Sequence, residues 1–287
     1  MFKGSLVNKF QPMKRIMHRQ CRNSLYPGTD IMRCTVDDPS QCWSRSCPDY
    51  EPRFYESPRL EGKPWADPAF GTEEYKKIQF NTLDGNVNRK SYGGEYQLHD
   101  GLPRNPVGRT GIAGRGLLGR WGPNHAADPI VTRWKRDENG AVMKHPETGS
   151  KFLQMCVIMR KDCGKWAIPG GMVDPGENIA ATLKREFIEE ALNSNARPTE
   201  VEIFFKLAGT PVYEGYVDDP RNTDNAWMET LAMNFHDKNG DLVGRFPLEA
   251  GSDAARVKWK DVDRNIDLYA NHSRMVKLVA EGLKAHW

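Results

Sequence analysis

Glu177, Glu186, Glu189 and Glu190 fall in one short stretch of the chain, with Arg185 among them. Residues three and four apart are neighbours on a helix, so Glu186, Glu189 and Glu190 share a face, and Arg185, one turn before Glu189, can pair with it. Carboxylates gathered this closely repel one another unless a cation neutralises them, and an all-oxygen donor set suits magnesium or manganese. A solvated acidic helix face is the plain alternative. It does not account for the glycine-rich turns that come first.

Those turns must position the carboxylates. Pro169, Gly170, Gly171, Pro175 and Gly176 forbid regular structure, so the chain turns twice before a helix begins at about Asn178. Ile179, Leu183 and Phe187 recur every fourth residue and would face a core, opposite the acidic face. Glu177 sits at the loop exit.

The spacing of Gly171, Glu177, Arg185–Glu186 and Glu189–Glu190 resembles the Nudix box of nucleoside-diphosphate-X hydrolases. The chain departs from that box at Leu192 and Asn193, where the family usually has glycine and then an aliphatic residue. The departure touches the helix end and no metal-ligand position. Segments 121–129, 132–136, 161–164, 216–230 and 268–272 narrow the likeness to the eukaryotic mitochondrial-type ADP-ribose pyrophosphatases. It is nearly continuous from Trp65 to the C-terminus and fails ahead of it.

This resemblance implies a Nudix α/β fold, a mixed sheet sandwiched between helices, with a smaller loop-rich N-terminal domain and the substrate in the cleft between them. It implies a reaction in which ADP-ribose and water give AMP and ribose 5-phosphate, with magnesium required (manganese possible) and Glu186, Glu189 and Glu190 as ligands. By position Glu186 or Glu190 could act as base; the family also takes its base from outside the box, which leaves Asp224 and Glu229 open. Positions matching those that line the ADP-ribose cleft in channel-attached relatives are Asp219, Arg221, Tyr269 and His272. Arg221 can fork onto phosphate, Asp219 can accept from ribose hydroxyls, and Tyr269 offers a stacking face. Trp166 and Trp227 read as core.

The chain of 287 residues is long enough for one large or two small domains. The division read here is a basic tail or transit segment over 1–29, a loop-rich domain over 30–120 and a Nudix domain over 121–287. A net charge of +3, without a basic stripe interleaved with aromatic residues, argues against nucleic acid and for a small-molecule ligand. No apolar run approaches the roughly 20 residues of a membrane-spanning helix. A monomer is expected. Residues 1–29 hold six basic residues and no acid, with Leu6, Phe10, Met13 and Met17 on one helical face. That resembles a mitochondrial transit peptide; Pro12 and the scarcity of serine leave a plain basic tail, and with it a cytoplasmic protein, as the alternative to that mitochondrial reading.

Cys21, Cys34, Cys42 and Cys47 match no zinc spacing and are read as reduced thiols. Gly114 to Gly119 matches the dinucleotide-binding glycine pattern, but the strand before and helix after that it requires are missing. A tightly packed loop over 101–122 is expected instead, with an arginine available for phosphate. Strands are read at 129–134, 152–159, 165–168 and 227–235, one or two across 201–205 and 210–213, a last at 257–259, and a helix from His272 to His286. Two further functions stay in view: a non-catalytic ADP-ribose sensor, as at the end of melastatin-type cation channels, and a Nudix hydrolase of another diphosphate. The intact box favours the enzyme over the sensor.

Overall fold

The computed structural model describes residues 17–192, 198–206, 209–245, 247–251 and 254–287. The helical face read over Leu6 to Met13, and Asn193, lie outside them. The loop-rich region carries only short strands: β1 (Phe54–Glu56), β2 (Leu83–Asp84), β3 (Val87–Asn88), β4 (Leu98–His99), β5 (Leu102–Pro103) and β6 (Ala113–Gly116). Then come β7 (Gly122–Trp134), β8 (Leu153–Arg160), β9 (Trp166–Ala167), β10 (Gly171–Met172), α1 (Ile179–Phe187), α2 (Pro198–Lys206), β11 (Thr210–Val217), β12 (Ala226–Asp237), β13 (Ala254–Asp261) and α3 (His272–Gly282).

A seven-stranded mixed sheet orders β11-β12-β7-β8-β13, with β10 paired to β7 and β9 to β8. Its two longest strands, β7 and β12, run parallel in register from Gly122 beside Ala226 to Arg133 beside Asp237. Alternate β7 residues face opposite layers. Ala127 and Val131 pack under Leu183 and Phe187 of α1 and Val201 and Phe204 of α2. Ala126, Ile130 and Trp134 pack with Met275, Val276 and Val279 of α3. Both faces are therefore covered, and these strands are buried almost throughout, their polar residues included.

One expected strand is a helix. Val201 to Phe205 is rich in β-formers, yet Val201, Phe204 and Phe205 at helical spacing bury against α1 while Ile203 points outward. Pro198 starts that helix, where its missing N–H has no partner to lose. The second candidate there is a strand and extends to Val217. The expected tail is also packed from His18 on, for His18 and Tyr26 are fully buried.

The glycine-rich stretch is structural. β6 pairs in parallel with β1, and no helix follows it. Gly114 adopts φ +88°, and a Cβ there would strike the Tyr55 backbone. Its arginines have internal partners: Arg109 donates to the carbonyls of Ser40, Cys42 and Arg45, Arg115 to Glu56, and Arg120 to Asp67. Asp67 is a buried hub, accepting also from Arg89 (2.7 and 3.0 Å) and the Trp121 amide (2.9 Å). It ties the loop-rich region to the start of β7. None of the six cysteines is in a disulfide. Among the described residues no helix is long and apolar enough to cross a membrane.

Candidate functional site

Antiparallel pairing of β10 with Ala126 and Ala127 of β7 brings the glycine turns onto the sheet. Asn178 caps α1, its side chain accepting from the Ala181 amide at 2.9 Å. From Ile188 to Leu192 the helix widens into a π turn. The 249–251 segment closes its end: the Glu249 amide donates to the Ala191 carbonyl (2.9 Å) and the Gly251 amide to that of Glu190 (3.3 Å). The departure at Leu192 from the box pattern thus coincides with this wide turn, and Leu192 is fully buried.

Arg185 organises the carboxylates. Its Nε and Nη2 donate to Glu177 at 3.0 and 2.9 Å, and its Nη1 reaches Glu186 (2.7 Å) and Glu189 (3.2 Å). Arg185 thereby holds the Glu177 pKa down at about 2. Burial pushes that of Glu186 up to about 7, against the pull of Arg185. Glu190 turns the other way and accepts from the Gly170 amide at 2.9 Å. The expected trio is therefore not a preformed cage: among the described residues no three such side chains stand in ligating array. Guanidinium charge already bridges Glu186 and Glu189, however, and Glu186 is only 7% exposed. An all-oxygen set that gathers positive charge fits a hard divalent cation.

The glycines face these acids. A Cβ on Gly171 would land on the Glu186 carboxylate, and one on Gly170 on Asp128. Asp128 has no sequence signal as a site residue. It is buried beside Thr230, whose hydroxyl donates to it at 2.7 Å, and burial raises its pKa.

Asp219, Arg221, Tyr269 and His272 do come together, around a cavity of about 100 Å³ that also touches Gly170 and Gly171. Their partners differ from those expected. Arg221 forks onto Asp219 through Nε and Nη2, both at 2.8 Å, and the Tyr269 hydroxyl donates to the same carboxylate at 3.1 Å. Asp219 therefore orients Arg221. Burial alone would raise the Asp219 pKa; the adjoining guanidinium brings it below the usual value. One face of Tyr269 is covered by Arg160, 4.4 Å from the ring centre. The Ile168 amide donates to His272 Nδ1 at 3.1 Å, so the ring carries its proton on Nε2.

Asp224 and Glu229 have structural partners. Asp224 accepts from Tyr50 (2.6 Å) and twice from Thr110 (2.7 and 2.8 Å); Glu229 accepts from Ser91, Tyr92 and Trp227. Neither lines a described cavity. Trp227 is fully buried, and Trp166 is half-buried under Lys258. A larger cleft of about 780 Å³ runs from the box loop to the β2–β3 hairpin, lined by Trp65, Asn86, Tyr92, Arg120, His125, Glu177 and Arg221. Arg221 borders both cavities. No local spacing marks Trp65, Asn86 or His125, because hairpin and β7 meet only in the fold.

Comparison with known proteins adds a second line. A NUDT9-like, N-terminal domain model matches residues 36–122, and a NUDIX domain model matches 140–280. The mitochondrial ADP-ribose pyrophosphatase of Rattus norvegicus is 51% identical, over 99% of this chain and 84% of the rat protein. The chain belongs to the Nudix family. The putative nudix hydrolase 6 of Caenorhabditis elegans is 44% identical across 92% of the chain and 97% of its own length. A transient receptor potential cation channel, subfamily M member-like 2, of Nematostella vectensis is 49% identical over 93% of the chain, which spans 18% of the channel. Nudix hydrolases generally use divalent metals, which agrees with the oxygen donors of α1.

Proposed function

We propose that the protein hydrolyses ADP-ribose to AMP and ribose 5-phosphate, with magnesium as cofactor and manganese able to replace it. The observation that carries this reading is the Arg185-centred carboxylate set opening beside a cavity that presents Arg221. A new P–O bond forms from water, and the bridging P–O bond breaks, leaving a phosphate on each product. Glu186, Glu189 and Glu190 would hold the metal, which when bound neutralises diphosphate charge and acidifies a coordinated water. Arg185 keeps Glu177 ionised and orients Glu186 and Glu189. Asp219 and Tyr269 fix the plane of Arg221, whose guanidinium attracts the anionic substrate. Asp224 and Glu229 are held by scaffold contacts, so the base is sought among the box carboxylates.

The same reading takes 30–120 as the loop-rich domain, 121–287 as the Nudix domain, a monomer as the working unit and a mitochondrial destination for the basic leader. The rat relative's name includes that organelle.

The test is turnover of ADP-ribose beside NADH, ADP-glucose and diadenosine polyphosphates with magnesium, using Glu189→Gln and Glu190→Gln as controls. Loss of about 10²-fold or more in kcat in either variant is expected, as for removal of a transition-state interaction. Tight binding of ADP-ribose without turnover in the unsubstituted protein would make it a sensor, and a strong preference for another substrate would make it a different Nudix enzyme.

A further inference from the structure

Residues 18–33 precede both matched domain models, yet they grip one short loop of the Nudix half. That loop, 218–222, carries Asp219 and Arg221 to the smaller cavity. The amides of Arg19, Gln20 and Cys21 converge on the Asp218 carboxylate at 2.7, 2.9 and 3.3 Å. Successive N–H groups aimed at one anion form a nest. Arg33 Nη2 donates to the Pro220 carbonyl at 2.6 Å, while its Nη1 holds the Thr110 carbonyl at 3.2 Å. The Tyr26 hydroxyl donates to the Arg221 carbonyl at 2.8 Å and accepts from the Leu117 amide at 2.8 Å. Three of the loop's residues are thus held from one side by one segment.

His18 secures the segment's start. Its ring stacks on Tyr216 with centres 5.6 Å apart, its Nε2 is 2.9 Å from the Tyr216 hydroxyl, and its Nδ1 is 3.1 Å from the Arg109 carbonyl. The same hydroxyl accepts from Asn222 at 2.9 Å, so strap and loop share an anchor. From the sheet side, Asn222 also binds the Val217 carbonyl and the Met228 amide. Asp219 and Arg221 bond mainly to each other and would move as a unit. The outer face of that unit is set by Asp218, Pro220 and the Arg221 backbone, which are the points the strap holds.

We propose that residues 18–33 are a positioning strap that fixes where Arg221 meets the substrate. These hydrogen bonds of the strap run to the 216–222 stretch and to Arg109, Thr110 and Leu117, so it governs substrate affinity and leaves the chemical step alone. This rests on the ADP-ribose reading for its kinetic arm only.

The test uses the full chain with Arg33→Met, Arg33→Lys, Tyr26→Phe and Asp218→Asn, and with Glu138→Gln as control, since Glu138 is exposed and outside both strap and loop. Steady-state hydrolysis of ADP-ribose is read beside amide hydrogen exchange over 217–227 and over 177–192. Arg33→Met should raise KM about tenfold with kcat within about twofold, the pattern of lost ground-state binding. Exchange should quicken over 217–227 and stay unchanged over 177–192. Arg33→Lys should recover part of the KM, since one ammonium reaches Pro220 but cannot bridge to Thr110 as a fork does. Tyr26→Phe, which keeps the ring, provides the same readings if Arg33→Met does not fold. Unchanged KM and exchange in the variants, or equal acceleration of both segments with falling kcat, would overturn the strap. If the unsubstituted protein leaves ADP-ribose intact, the functional reading falls while the exchange arm still decides on the strap.

Discussion

Replacing Glu186 by glutamine should make the metal-free protein more stable and the enzyme nearly inactive. Burial lifts the Glu186 pKa from 4.5 to about 7, so the folded state holds this proton more tightly than the unfolded chain. The resulting stabilisation is fully present below the unfolded value of 4.5 and is lost as pH rises through about 7. At ~1.4 kcal/mol per pH unit the upper bound is roughly 3 kcal/mol, and partial solvent screening reduces it to about 1–2 kcal/mol. Glutamine resembles the protonated acid, carries no such loss and still accepts from Arg185. For a chain of 287 residues, the unfolding entropy converts 1–2 kcal/mol into a Tm gain of about 2–3 °C at pH 8. Scanning calorimetry in chelator from pH 4 to 9 should show the two curves diverging between about pH 4.5 and 7 and running parallel above. Curves that stay parallel throughout, or a variant less stable at pH 8, would refute the assignment of Glu186 as a buried, proton-retaining carboxylate. The same variant with magnesium should lose about 10²-fold or more in kcat.

Two further substitutions read other parts of the site. Gly171→Ala places a methyl on the Glu186 carboxylate; kcat should fall by about 10²-fold with KM little changed, checked by steady-state kinetics. Asp67→Ala leaves Arg89, Arg120 and the Trp121 amide without their shared buried acceptor. Breaking a buried pair by removing one partner costs about 3–5 kcal/mol, so calorimetry should show Tm lower by about 5–8 °C.

What could be read along the chain was what neighbours dictate. The box helix announces itself because glycine, proline and charge patterns act within a few residues, and β8, β12 and the second half of β7 because apolar runs between turns leave few alternatives; the first half of β7, from Gly122, was not read as strand. Val201 to Phe205 misled because β-branched and aromatic residues favour strands locally, whereas burial against Phe187 selects helical spacing. The pairing of Arg221 with Asp219 was compatible with the sequence, but a guanidinium free to fork onto phosphate looks the same as one already forked onto a carboxylate. Asp67 could not be found, since its partners Arg89 and Arg120 lie in separate stretches of unremarkable turns. Asp128 was hidden for another reason: its place at the site comes from the fold alone, where Gly170 packs on it and it lines the smaller cavity.

The parallel run of β7 and β12 has a practical consequence. Their starts, Gly122 and Ala226, lie at the end where the substrate loop and the box turns gather. Their far ends lead to the region where Lys151 bridges Ala285 and His145 stacks on His286. The described chain therefore offers unequal places to attach a probe. A fluorophore or affinity handle joined after Trp287 stands at the end remote from the cleft, whereas a label on the side chain of position 20 sits beside the loop that carries Arg221. Immobilisation through the C-terminus should leave binding measurements undisturbed, and a dye at position 20 should report on the cleft.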